Sequence, residues 1–115
     1  MTEPPQPTDP EDVKILTLAR SALVRTAATQ GACVRDGDGR TYAASAVLLP
    51  HLALSAVAVA VAMAVSSGAT GLEAVAVAGE HPSADDLAVV GDLPGTGVVV
   101  WVADNRGQLT ARIPL

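Results

Sequence analysis

The sequence predicts one α/β domain in which helices pack against a sheet of about five strands. Three observations lead there. Segments of helical period alternate with short β-branched runs, two Gly- and Asp-rich turns each join a pair of such runs, and the apolar half of the 115 residues is almost entirely Ala, Val, Leu and Ile. A core of many small side chains must be extensive and closely packed to offset chain entropy. The length suits a single domain.

Seven basic against twelve acidic residues give a net charge of -5, and no basic run occurs. Phosphate-backbone binding as a main role, and so a nucleic-acid partner, is not expected. Cys33 is the single cysteine, which excludes an internal disulfide and fits a reducing compartment. No charged-then-apolar leader opens the chain, so a cytoplasmic protein is expected.

Residues 1–10 hold four of the eight prolines and read as a disordered tail, leaving residues 11–115 as the domain. Thr8, Asp9 and Pro10 before Glu11 and Asp12 suit a helix start. Ile15, Leu16, Ala19, Ala22, Leu23, Thr26 and Ala27 recur at helical spacing, predicting an amphipathic helix that ends near Gln30 and Gly31. Ala32–Val34 and the stretch from Arg40 read as strands joined by Asp36-Gly37-Asp38-Gly39, whose dipeptides supply the positive φ of a tight turn. No charged residue lies between Arg40 and Glu73, and Leu48–Val65 within that span reads as one helix, apolar all round. Leu72–Ala78 reads as a central strand, Ala84–Val90 as a short helix led by Asp85 and Asp86, and Val98–Ala103 and Gln108–Ile113 as a second hairpin.

An all-apolar helix must be covered by protein or lipid. Leu48–Val65 is at the lower length limit of a membrane span, but Pro50, His51 and Ser55 interrupt it and no Trp, Tyr, Lys or Arg follows to anchor its far end. A buried helix is the expectation, with no membrane partner. Its uncovered side then predicts an oligomer interface.

The run Gly31-Ala32-Cys33-Val34, then Asp36-Gly37-Asp38-Gly39-Arg40-Thr41-Tyr42, then a helix ending Ala64-Val65-Ser66-Ser67-Gly68 resembles the small cytidine deaminases from Glu11 to the end. The resemblance implies a cytidine deaminase-like sandwich, with a mixed five-stranded sheet and about three helices, assembled as a homodimer or homotetramer. It also implies where zinc chemistry would sit. Counting back from Ser66, the first zinc-ligand position falls on Ser55 and the proton-shuttle glutamate on Val57, while the ribose-binding Asn and Glu fall on Ala44 and Ala46. In the second motif Pro82 is kept and the two cysteine positions fall on Ser83 and Asp86. A neutral serine is a poor zinc ligand and valine carries no proton. The loop that usually precedes the first strand is replaced by a shorter connection through Thr29 and Gln30.

Other candidates read as structural. His51 and His81 with Asp85, Asp86 or Cys33 would be an unusual metal set; His51 suits the start of the buried helix with one hydrogen bond and His81 an exposed turn. Cys33 lies on an apolar strand as a small hydrophobe, not a nucleophile. Asp85 and Asp86 read as helix-dipole partners rather than paired catalytic carboxylates. Asp36, Asp38 and Gly39 lack the spaced oxygens of a calcium loop, and Gly95-Thr96-Gly97 precedes a strand and lacks the Lys of a phosphate loop. Trp101 either plugs a gap in the core or faces outward as an interface anchor.

The sequence thus leads to a catalytically inactive cytidine deaminase-like protein, with no catalytic, cofactor-binding or metal residues, that self-associates and acts as a structural or protein-interaction module with an unknown protein partner. A non-catalytic module binding a nucleoside-like ligand is the alternative, and a membrane-attached protein a third.

Overall fold

Asp9 and Pro10 do start a helix. Asp9 adopts an extended backbone and its side chain accepts from the Glu11 N–H, Pro10 takes the first helical position, and Glu11 and Asp12 sit at the positive end of the dipole. In the computed structural model, which describes residues 6–115, helix α1 spans Pro10–Thr26. The expected disordered tail therefore falls outside the described residues for positions 1–5, while Asp9 and Pro10 are part of the helix start.

The chain continues through β1 (Gln30–Asp36), β2 (Thr41–Ser45), β3 (Val47–Leu48), β4 (Ala53–Leu54), α2 (Ala56–Ser66), β5 (Leu72–Gly79), α3 (Ala84–Gly91), β6 (Val99–Ala103) and β7 (Leu109–Pro114). Five strands form one mixed sheet in the order β2-β1-β5-β6-β7, parallel only between β5 and β6. The parallel pair is linked through α3, as a crossover requires.

Alternation along β5 divides the core. Ala74, Ala76 and Ala78 meet Ile15, Ala19 and Leu23 of α1, while Val75 and Val77 point to the opposite face, where α2 supplies Ala56, Val57, Ala60, Val61 and Ala64. Alanine on the α1 side lets that helix lie close to the sheet. The closest approach is at Gly31, where a Cβ would collide with the Ala19 carbonyl oxygen and the Leu23 backbone nitrogen. Arg35 pins the same layers electrostatically, donating from Nη2 to Asp12 of α1 and from Nε to Glu73 of β5, each at 2.9 Å.

Several boundaries differ from the sequence reading. Helix α1 stops at Thr26, because Ala27 takes a left-handed cap (φ 53°), and Gln30 and Gly31 already belong to β1. The single helix expected over Leu48–Val65 is a short antiparallel β3–β4 ladder followed by α2. Pro50 offers no N–H and biases its predecessor toward extended backbone, and Ser55 then caps α2 by accepting from the Ala58 N–H. His51 is accordingly exposed in the β3–β4 turn instead of sitting at a buried helix start. Nor is α2 buried on all sides, since Met63 and Val65 are 39% and 50% exposed. With 11 residues it is far short of a bilayer, and no helix among the described residues is long and apolar enough to cross one. Trp101 resolves to the core: it is buried, with the Arg112 guanidinium 5.5 Å from its ring centroid.

The first hairpin is organised by one carboxylate. Asp36 Oδ1 accepts from the N–H groups of Asp38 and Arg40, and Oδ2 accepts from the Tyr42 hydroxyl. Burial alone pushes this carboxyl up, but the backbone donor of Arg40, the Tyr42 hydroxyl and the Asp38 donor together hold it below the usual aspartate value. A carboxyl depressed in the folded state stabilises above its unfolded value, about 3.9, and loses that stabilisation as pH falls through the folded value. Asp36→Asn is predicted to cost about 1–3 kcal/mol at neutral pH, with the gap from the parent protein closing as the pH falls below about 4 in urea titrations. Gly31→Ala is predicted to destabilise by about 1–3 kcal/mol through overpacking. Gly37→Ala, where an added Cβ meets nothing within 4 Å, should change stability by less than about 0.5 kcal/mol.

Candidate functional site

Two helices begin side by side on the face of the sheet opposite α1. Ser55 caps α2 and Ser83 caps α3, and Asp86 in the first turn of α3 bonds to both. Ser83 and Asp86 form a reciprocal capping box: Ser83 Oγ accepts from the Asp86 N–H at 3.0 Å, and Asp86 Oδ2 accepts from the Ser83 N–H at 3.1 Å. The other carboxylate oxygen, Oδ1, accepts from the Ser55 hydroxyl at 2.6 Å. A buried carboxylate thus sits at the positive ends of two helices with each oxygen engaged.

Gln30 completes the arrangement from the sheet. Its side-chain oxygen accepts from the Ala56 N–H at 2.9 Å, the first orphan donor of α2, and its amide donates to the Glu80 carbonyl at 3.1 Å. Gln30 is 3% exposed, so both bonds are sheltered from water. Pro82, just before the α3 cap, is buried, and Val57, two residues past Ser55, lies within the apolar core.

The three positions that the sequence assigned to zinc ligation, Ser55, Ser83 and Asp86, therefore converge, although they come from two elements separated by β5. Their chemistry does not suit zinc. Zinc is held by thiolates, imidazoles or carboxylates, whereas two of these three donors are neutral hydroxyls. Each hydroxyl oxygen already accepts a helix N–H, and the one carboxylate is occupied by Ser55 and by the Ser83 backbone. Val57 offers no group to move a proton. Ala44, at a ribose position, is buried in the core cluster, and Ala46 brings only a methyl group and a backbone N–H bonded to the Gln30 carbonyl.

The remaining candidates stay apart. His81 is exposed ahead of α3, and His51 is exposed in the β3–β4 turn. Among the described residues no three His, Cys, Asp or Glu side chains are grouped to hold a metal. Asp36 and Asp38 belong to the hairpin turn, Asp85 is exposed in the first turn of α3, and Gly95-Thr96-Gly97 precedes β6. Cys33 is fully buried facing α1, and desolvation by burial pushes its thiol up to about 11 despite weak pulls from a backbone hydrogen bond, Lys14 and Arg35. Sequence reasoning placed Gln30 only in the connection before the first strand, with no role at the site, and gave Asp86 a former ligand position and a dipole role but no bond to Ser55. The Ser83-x-x-Asp86 spacing was the available signal for the capping box.

Asp86→Ala is predicted to remove the box and strand the Ser55 hydroxyl, costing about 2–4 kcal/mol from the two losses combined as read by chemical denaturation. Cys33 should react with a thiol reagent only as fast as the protein opens, so its labelling rate should rise with urea in step with unfolding.

A family model described as cytidine deaminase-like matches residues 8–107. Among solved structures, cytidine deaminase from Burkholderia pseudomallei is similar at 19% identity, covering 89% of this chain and 91% of that one with a TM-score of 0.77. Cytidine deaminase from Mycobacterium leprae is similar at 18% identity (88% and 94% covered, TM-score 0.68), and a mutant cytidine deaminase from Mycobacterium tuberculosis at 20% (89% and 91%, TM-score 0.68). No curated protein matches the chain. At such identities the structures speak for the fold, a mixed five-stranded sheet with three helices, and the family match over most of the sequence goes further: the chain belongs to the cytidine deaminase-like family.

Proposed function

We propose that this chain is a catalytically inactive member of its family, kept as a structural or protein-interaction module that self-associates as a dimer or tetramer in the cytoplasm. The observation that carries the reading is the closed hydrogen-bond set of Ser55, Ser83 and Asp86. In it the side chains at the former zinc positions serve as caps that hold two helix starts together. Hydrolytic deamination by the family's route needs a metal-activated water and a carboxylate to pass its proton, and Val57 supports neither.

Self-association is supported by where apolar surface is left. Of nine exposed large hydrophobic residues among those described, six lie between positions 48 and 65: Leu48, Leu49, Leu52, Leu54, Met63 and Val65. Leu48 is 87% exposed and Leu49 57%. This stretch carries no charged side chain, so a second copy can cover it without desolvating a charge.

Purified protein incubated with cytidine is predicted to form no uridine above the buffer control, and a thermal-shift series with nucleosides should give no stabilisation near millimolar ligand. Uridine formation would overturn the inactive reading, and a nucleoside-dependent rise would favour a ligand-binding module. Light scattering after size exclusion should report a dimer or tetramer, and Leu49→Lys with Met63→Glu should convert it to monomer. A monomeric parent protein would contradict the assembly.

A further inference from the structure

The outer side of α1 carries a feature that neither the helix-cap cluster nor the apolar patch uses. Val13, Arg20 and Val24 are exposed along one side of the helix, and Leu16 between them is half-buried, packing also against the sheet-side cluster. They floor a groove of about 750 Å3 between α1, Gln6 and Pro7, and the β6–β7 turn. From Val13 to Val24 the groove runs roughly 16 Å along the helix at 1.5 Å per residue.

The groove gathers cations. Arg20, Arg25 and Arg106 line it, three of the seven basic residues of a chain whose net charge is -5. The turn is held against Arg20 by Gly107, which has φ 88°, and a Cβ there would lie 3.0 Å from Arg20 Cδ and 3.2 Å from Nε. That approach brings Arg106, the next residue, to the same wall. None of the three forms an ion pair among the described residues, where Arg35 alone does so. The carboxylate in that turn, Asp104, is directed at its own backbone, accepting from the N–H groups of Arg106 and Gln108.

We infer that this groove is a docking site for a partner protein's acidic peptide segment, one that alternates carboxylates with aliphatic side chains. Charge complementarity selects the carboxylates, which the three guanidinium groups meet in planar, bidentate fashion. Val13 and Val24, 48% and 64% exposed at the two ends of the groove, select the aliphatic groups. A small free anion would engage the arginines and leave both valines in water. A nucleic acid, charged at every residue, would bring no aliphatic side chains to the two valines. The inference rests on the interaction role proposed above and names the chemistry of its partner. Its failure is read separately, because inactivity and self-association are measured without the peptide.

The test is fluorescence anisotropy of the full chain with a labelled twelve-residue peptide of Glu, Asp, Leu and Ile. A Lys-for-acid version, inorganic phosphate and an oligothymidylate serve as competitors. Micromolar binding is expected, weakening with salt, falling about tenfold or more in Arg20→Glu with Arg106→Glu, and falling also in Val24→Ser, which keeps every charge. These residues are exposed, so the variants should unfold at the parent's midpoint in circular dichroism; should they not, Val24→Ser and the Lys peptide still decide. Absence of binding at millimolar peptide, binding unchanged by the variants, or equal competition by phosphate or oligothymidylate would each overturn the inference.

Discussion

One carboxylate holds the functional face of this fold together. Asp86 bonds to the caps of both α2 and α3, and without its carboxylate the Ser83 N–H and the Ser55 hydroxyl would lose their partners at the positive ends of the two helices. A single negative charge joins the two helix starts through a hydroxyl and a backbone N–H. Gln30 extends it into the sheet by satisfying the Ala56 N–H, so that α2, α3 and β1 meet at a point with few orphan polar groups.

The composition explains the rest of the architecture. With no Phe and a core of Ala and Val, the layers must approach closely, and the Ala side of β5 together with Gly31 makes that possible on the α1 face. The same economy leaves little to cover the β3–β4 ladder and the outer side of α2, where uncharged leucines and Met63 meet solvent. Charge is distributed in the opposite sense: the apolar stretch between Arg40 and Glu73 is neutral, and three arginines with no ion pair among the described residues line one groove beside α1. The protein thus presents two unlike surfaces, one apolar between positions 48 and 65 and one lined by three arginines.

Much of this was legible in the residues. The period of α1, the alternation in β5 and the Asp-Gly turn each carry a local signal, and the structure places these elements within a few residues of where that signal does. Leu48–Val65 failed because a run so nearly all apolar has no period to read, and the deciding information lay in two residues, Pro50 and Ser55. The positions of Ser55, Val57, Ser83 and Asp86 followed from the family resemblance, but their mutual hydrogen bonds did not, since which side chains meet across α2 and α3 is set by the sheet between them. Gln30 and the arginine groove were invisible for the same reason: Gln30 reaches residues 26 and 50 positions away, and Arg20 and Arg106 are joined only through packing of α1 on the last turn.

The most direct measurement of the central claim is native mass spectrometry of protein purified without chelators. The hydrogen-bonded helix starts predict a mass that is a whole multiple of the 11.5 kDa chain with nothing added. One zinc per subunit would contradict the account, because Ser55, Ser83 and Asp86 would then have to release one another to hold it.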